Sequence, residues 1–218
     1  MKLITDMSFL FNGKSTFNSD ISNWDVSSVA KMAGMFGSAS SFNSDISNWN
    51  VSSVTYMNGM FYGASSFNSD ISRWDVSSVM YMSGMFQSAS SFNSDISRWE
   101  VARVTNMNSM FYFVSSFNSD ISNWDVGSVM YTGYMFYGAS SFNSDISNWN
   151  VSTVIYMQFM FYQATSFNKN LCPWGPKLPL DFNYANGAVN MFASSGCLNK
   201  NSPTGPTGPW CAVTTCTA

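Results

Sequence analysis

The sequence predicts an α/β repeat protein: a right-handed solenoid with one short parallel strand and one short helix in each 25-residue coil. Three observations predict it. Phe17, Phe42, Phe67, Phe92, Phe117, Phe142 and Phe167 fall 25 residues apart, and Trp24, Trp49, Trp74, Trp99, Trp124, Trp149 and Trp174 keep the same step. A fixed period of this length marks stacked repeats, and it is too short for a propeller blade of roughly 40 residues. Within each unit the apolar positions change from a strand-like to a helix-like spacing.

The strand is placed first. In Ile21-Ser-Asn-Trp24-Asp-Val26-Ser-Ser-Val29 the apolar residues are spaced 3, 2 and 3, as in the leucine-rich-repeat pattern L-x-x-L-x-L-x-x-N. Trp24 and Val26 alternate with Asn23 and Asp25, which reads as a strand with Trp and Val inward. Val29, Met32, Met35, Phe36 and Ala39 follow at 3, 3, 1 and 3, which reads as the apolar stripe of a short helix. Ser40-Ser41 ends it, and Phe42-Asn43-Ser44-Asp45-Ile46 leads into the next strand.

These residues resemble a known family. The unit FNSDISNWNVSSVTYMNGMFYGASS, Phe42 to Ser66, is similar to the BspA-type leucine-rich repeat, and most closely to the 25-residue subtype of mycoplasma surface lipoproteins and microalgal proteins. The likeness runs from about Leu3 to Asn170, and the tail resembles the C-terminal end such proteins carry. The resemblance implies a cell-surface or secreted protein acting in adhesion and partner binding, without catalytic residues. One position departs from it: the usual ladder Asn is Val29, Val54 and Val79.

Composition narrows the function. The 218 residues carry a net charge of −3, 10% charged residues, 17% aromatics and no histidine. No basic patch is present to neutralise phosphate, which argues against nucleic acid. The missing histidine removes the commonest general base and metal ligand. No apolar run approaches the roughly 18 residues of a membrane span, and the N-terminus lacks the form of a signal peptide. Cys172, Cys197, Cys211 and Cys216 lie together in the tail; two disulfides, and hence an extracellular or cell-surface setting, are expected over a metal site. The pairing expected is Cys172–Cys197 with Cys211–Cys216.

Three domains are delimited: a partial N-terminal coil over 1–16, six full repeats and the start of a seventh over 17–171, and a disulfide-bearing cap over 172–218. Met191-Phe192 comes six residues late for the period, so GPKLPL is read as an inserted loop. The chain starts in mid-coil. It is read either as a fragment or as a subunit whose open apolar end stacks head-to-tail on another.

The copied polar residues have structural roles. Asn18, Asn43, Asn68, Asn93, Asn118 and Asn143 are expected to form a ladder that satisfies turn backbone. Asp20, Asp45, Asp70, Asp95, Asp120 and Asp145 would repel by about 0.8 kcal/mol per neighbour even in water; hydrogen bonds from turn N–H groups offset this. The alternative is calcium between coils, the one cofactor considered. No catalytic site is read, because periodic aspartates offer no paired acid and base.

Partner-binding candidates come from the columns that vary. Tyr56, Tyr81, Tyr131 and Tyr156 share one column with Lys31 and Asn106. Tyr62, Tyr112, Tyr137 and Tyr162 share another with Gly37 and Gln87. Both are placed on a convex surface with Phe9, Tyr134 and Phe159, where they serve as a contact surface or pack flat across the coils. Arg73 and Arg98 stand beside Asp75 and Glu100 on the opposite face. Asn50 and Asn150 head glycosylation sequons. The expected function is non-enzymatic adhesion, partner binding or surface structure, the partner being a protein or cell surface of unknown identity. Binding to a regular lattice of ice or mineral through Ser/Asn/Asp rows, or calcium-dependent binding, are the alternatives.

Overall fold

The computed structural model describes residues 3–212 and Cys216; the remainder of the first coil and of the tail, including 213–215, 217 and 218, lies outside the described residues. The chain winds as a stack of irregular 25-residue coils closed at the C-terminal end by a disulfide-bonded segment. Among the described residues the helical elements are a 3₁₀ segment, Cys172–Lys177, and one short helix α1, Tyr184–Gly187. Both lie in the tail. The coils hold neither the strand nor the helix that the spacings suggest, so the α/β leucine-rich-repeat reading is overturned.

The physical reason lies in residues 30–38 and the equivalent segments of the other coils. Gly34, Gly59 and Gly84 have φ of +59°, +58° and +61°, and Ser38, Gly63 and Ser88 have +57°, +67° and +60°. A left-handed residue every four positions breaks any α-helix. The segment instead becomes two consecutive tight turns, with Met35 N–H donating to Met32 O and Ala39 N–H to Phe36 O. Met32, Met35, Phe36 and Ala39 still point inward and are fully buried. Turns of three to four residues reproduce a helical spacing without a helix.

Bonds between coils use the remaining groups. Met7, Phe9, Phe11 and Gly13 donate to Lys31, Ala33, Met35 and Gly37 O at 2.7–2.9 Å, and the next coil repeats this through Met32, Gly34, Phe36 and Ser38. Single-residue parallel bridges run Asp6–Lys31–Tyr56–Tyr81–Asn106–Tyr131–Tyr156. Sheet-like pairing therefore falls on the segment read as a helix, and the Trp24–Val26 segment makes none.

The core is two aromatic columns and their neighbours. Phe36 stacks on Phe42 at 3.8 Å within its coil and on Phe61 at 5.6 Å in the next; the same pair recurs at Phe86/Phe92 and Phe111/Phe117. The tryptophans form the second column. From Trp49 to Trp174 each indole N–H of the column reaches one coil back, as in Trp49 to Ile21 O and Trp99 to Ile71 O, both at 3.1 Å. A buried indole thereby gains its partner. Where the Met column changes to Thr132, the buried hydroxyl donates to Tyr156 O at 3.2 Å.

The tail continues the stack with one insertion. Met157, Phe159 and Phe161 donate to Gly187, Val189 and Met191 O, so six extra residues are accommodated by the 3₁₀ segment and α1. Trp174 keeps the indole column by donating to Ile146 O at 3.0 Å. The disulfides are Cys172–Cys216 and Cys197–Cys211, not Cys172–Cys197 with Cys211–Cys216. They are nested, the second closing 14 residues inside a span of 44.

Two measurements check this architecture. Far-UV circular dichroism should lack the paired helical minima that a helix in every coil would produce. Phe86→Ala, which removes a fully buried ring lying between Phe61, Phe92 and Phe111, should cost about 3–5 kcal/mol in chemical unfolding.

Candidate functional surface

The columns that vary assemble an aromatic surface on the late coils. Tyr112 and Tyr137 stack at 4.9 Å, and Tyr137 and Tyr162 at 4.7 Å. Tyr134 stacks on Phe159 at 5.1 Å and lies 6.2 Å from Tyr137, while Phe159 lies 5.7 Å from Tyr162. Phe113 meets Tyr112 edge-on at 4.8 Å and Tyr137 at 5.3 Å. Six rings thus form one contiguous, partly exposed cluster.

Three of these rings stand where the backbone is left-handed: Phe113 at φ +54°, Tyr134 at +59° and Phe159 at +56°. The second to fourth coils place Gly or Ser at the equivalent sites, as at Gly59, Gly63, Gly84 and Ser88, while the first coil has Phe9 there at φ +60°. Bulky residues in this region are outliers that cost about 1–2 kcal/mol each. The neighbouring coil accommodates Phe113 with a glycine: a Cβ on Gly138 would lie 2.5 Å from its ring. Phe113 was not among the sequence candidates. Its signal is the replacement of Gly or Ser by Phe in the four-residue phase of left-handed positions.

The other tyrosine column lies on the bridge positions. Tyr56 stacks on Tyr81 at 5.1 Å and Tyr131 on Tyr156 at 5.9 Å, and Lys31 Nζ sits 5.6 Å above the Tyr56 ring. Tyr62 is exposed, with Gly37 and Gln87 as its column neighbours. Burial, then the nearby Tyr162, Tyr112 and Tyr134, push the Tyr137 phenol above its ordinary value, so it is a neutral hydroxyl at neutral pH.

The Asn column joins coil to coil. Asn43 N–H donates to Asn18 Oδ1 at 2.8 Å, and the same bond links Asn43 to Asn68, Asn68 to Asn93, Asn93 to Asn118 and Asn118 to Asn143. Ser44, Ser69 and Ser119 hydroxyls donate to carbonyl oxygens of the preceding coil at 2.8–3.2 Å. These serines are committed inside the stack and are not a free hydroxyl row.

Each aspartate of the repeated motif accepts at Oδ1 from the N–H two residues on, as in Asp20 from Ser22 and Asp95 from Ser97 at 2.9 Å. This Asx-turn bond is the main cause that holds Asp20, Asp45, Asp70, Asp95, Asp120 and Asp145 below their ordinary values. Charges of Asp20 and Asp70 oppose it at Asp45. Among the described residues no three His, Cys, Asp or Glu side chains converge as a metal would need. The Asp25 and Asn50 positions make a second Asx turn, from Ser27 and Ser52. Asn50 and Asn150 are exposed.

Arg73 and Arg98 are exposed, and their charge falls on the repeated aspartates: Arg73 lowers Asp70 and Arg98 lowers Asp95. Arg98 also lines a shallow cleft of about 320 Å³ with Trp99, Glu100 and Asp125.

The two ends of the stack differ. Trp24 in the first coil is 39% exposed against 4% for Trp49, and with Ile4, Met7 and Leu10 it lines an open apolar groove of about 550 Å³. At the other end Met191, Phe192 and Trp210 are buried. Among the described residues no helix is long and apolar enough to cross a membrane.

A family profile described as "Mycoplasma protein of unknown function, DUF285" matches residues 1–99 and 82–203. The chain belongs to the DUF285 family. The two overlapping matches cover the coils and most of the cap. No curated protein and no solved structure matches the chain.

The aspartate geometry sets a pH dependence. Their pKa values are lower folded than unfolded, so the stability they contribute is full above the unfolded value of about 3.9 and is lost as pH falls through the folded values. Melting temperature should therefore decline with acidification below about pH 4. Asp45→Asn keeps the Oδ1 acceptor and removes one titrating group. It should preserve the melting temperature at neutral pH and reduce the acid decline.

Proposed function

We propose that this DUF285 chain is a non-enzymatic extracellular or cell-surface repeat protein that binds a protein partner through the Tyr112–Phe113–Tyr134–Tyr137–Phe159–Tyr162 surface. One observation carries the reading: three aromatic residues occupy strained left-handed positions in order to display rings beside a tyrosine ladder. Strain of this kind accumulates where a surface serves a purpose other than packing. Large rigid rings supply contact area at low entropic cost, and clustered exposed apolar surface marks interaction sites.

The setting supports the reading. Two disulfides suit an oxidising compartment. The resemblance of the repeat to BspA-type surface proteins points the same way, toward adhesion. Catalysis has little support, since each repeated aspartate is held in its own turn and histidine is absent. Lattice binding is weakened by the serine hydroxyls that are spent between coils.

The test compares binding of labelled protein to the surface of the cells that produce it. Phe113→Ser combined with Tyr137→Ser should reduce binding at least tenfold, while Arg73→Ser combined with Arg98→Ser leaves it unchanged. Unchanged binding by the aromatic variant would overturn the assignment. Loss with the arginine variant instead would move the site to the opposite columns.

A further inference from the structure

All four cysteines lie between 172 and 216, so both disulfides staple the cap and none joins coil to coil. The coils before it carry a different oxidisable group in register. Tyr56 and Tyr81 are 25 residues apart and stacked at 5.1 Å, and Tyr131 and Tyr156 at 5.9 Å; Tyr112, Tyr137 and Tyr162 form an unbroken run at 4.9 and 4.7 Å. Each ring comes from a consecutive coil, each is at least partly open to solvent, and the stacking fixes which ring meets which.

We propose that these ladders are sites of oxidative tyrosine coupling, in which dityrosine bonds staple consecutive coils. The co-reactants are hydrogen peroxide and a peroxidase. Two phenols each give up one electron and one proton, and the peroxide is reduced to two waters. The two phenoxyl radicals join through the ring carbons beside the oxygens. The hydrogens on those carbons then move to the oxygens as protons and restore both phenols. The net loss is two hydrogens per link, and the new bond is one carbon–carbon bond. Stacking favours the reaction because the second radical forms within reach of the first, as in any intramolecular reaction of pre-placed groups. The proposal concerns chemistry of the ladder alone and holds whether or not this surface also binds a partner.

The fold supplies its own controls. Tyr62 is exposed but has Gly37 and Gln87 above and below it in its column, and Tyr184 belongs to the cap, near Trp210. Neither has a stacked phenol.

The experiment treats the intact, disulfide-bonded chain with peroxidase and hydrogen peroxide at high dilution, then maps cross-linked peptides by mass spectrometry. The expected product is a fluorescent monomer, lighter by two hydrogens per link. Its links join Tyr56 to Tyr81, Tyr131 to Tyr156, and Tyr137 to Tyr112 or Tyr162, with Tyr62 and Tyr184 uncoupled. Tyr137→Phe should cut coupling of Tyr112 and Tyr162 at least tenfold and leave the Tyr56–Tyr81 link unchanged, which also shows that the variant is folded there. The same treatment in denaturant should scatter the pairing. Products dominated by links between molecules, equal coupling at Tyr62, or the same pairing from the unfolded chain would each overturn the proposal.

Discussion

Everything in this structure depends on the hydrogen bonds that pass from one coil to the next. Helices and sheets satisfy the backbone internally; a chain of tight turns does not. Here the N–H groups alternate. One closes a local turn, as Leu10 to Met7 O, and the next crosses to the following coil, as Phe11 to Met35 O. Buried backbone groups must find partners, so every coil needs a neighbour with the same turns at the same height. The 25-residue period is that requirement written in sequence, and it explains why polar residues are copied as faithfully as apolar ones. Asn18 and Ser44 take part in the same coil-to-coil bonding, and a substitution at either removes bonds from two coils.

This constraint also shows which parts of the fold could be read in advance. The period, the buried Phe, Trp, Met and Ile columns and the insertion before Met191 follow from which side chains recur. The local conformation does not. Spacings of 3, 3, 1 and 3 place Met32, Met35, Phe36 and Ala39 on one side whether the backbone is a helix or consecutive turns with left-handed residues between them. The decisive residues are the small ones the apolar pattern skips: Gly34 and Ser38, Gly59 and Gly63, Gly84 and Ser88, four apart in three successive coils. Read as helix they are tolerated weak points; read as turns they supply the left-handed geometry without strain. The disulfide pairing was beyond reach for a different reason. Four cysteines allow three connectivities, and the choice depends on how the tail folds back, with Leu171 N–H bonded to Trp210 O.

The surface was legible in part. Variation within the columns of Tyr56 and Tyr62 pointed to solvent, and the structure places these residues at the surface. The columns themselves sit on turns and bridge positions, not on the back of a helix. Which rings meet depended on the stacking register, and the contribution of Phe113 depended on a backbone angle that hydrophobicity does not report.

Energetics distinguish this surface from the core beneath it. A core ring such as Phe86 adopts ordinary backbone geometry and gains burial on every side, so it stabilises the stack outright. Phe113, Tyr134 and Phe159 begin with a backbone cost of about 1–2 kcal/mol each. Their stacking returns about 0.5–1.5 kcal/mol per aromatic pair. Each of the three rings makes two such contacts, and this return comes on top of the area it covers, so stacking offsets the strain. Glycine at the same sites, as at Gly59 and Gly84, carries no such strain. The aromatic residues at these left-handed positions are therefore held by contacts with neighbouring rings, not by burial on every side. What distinguishes them from glycine is the ring area that stays partly open to solvent on top of that stacking.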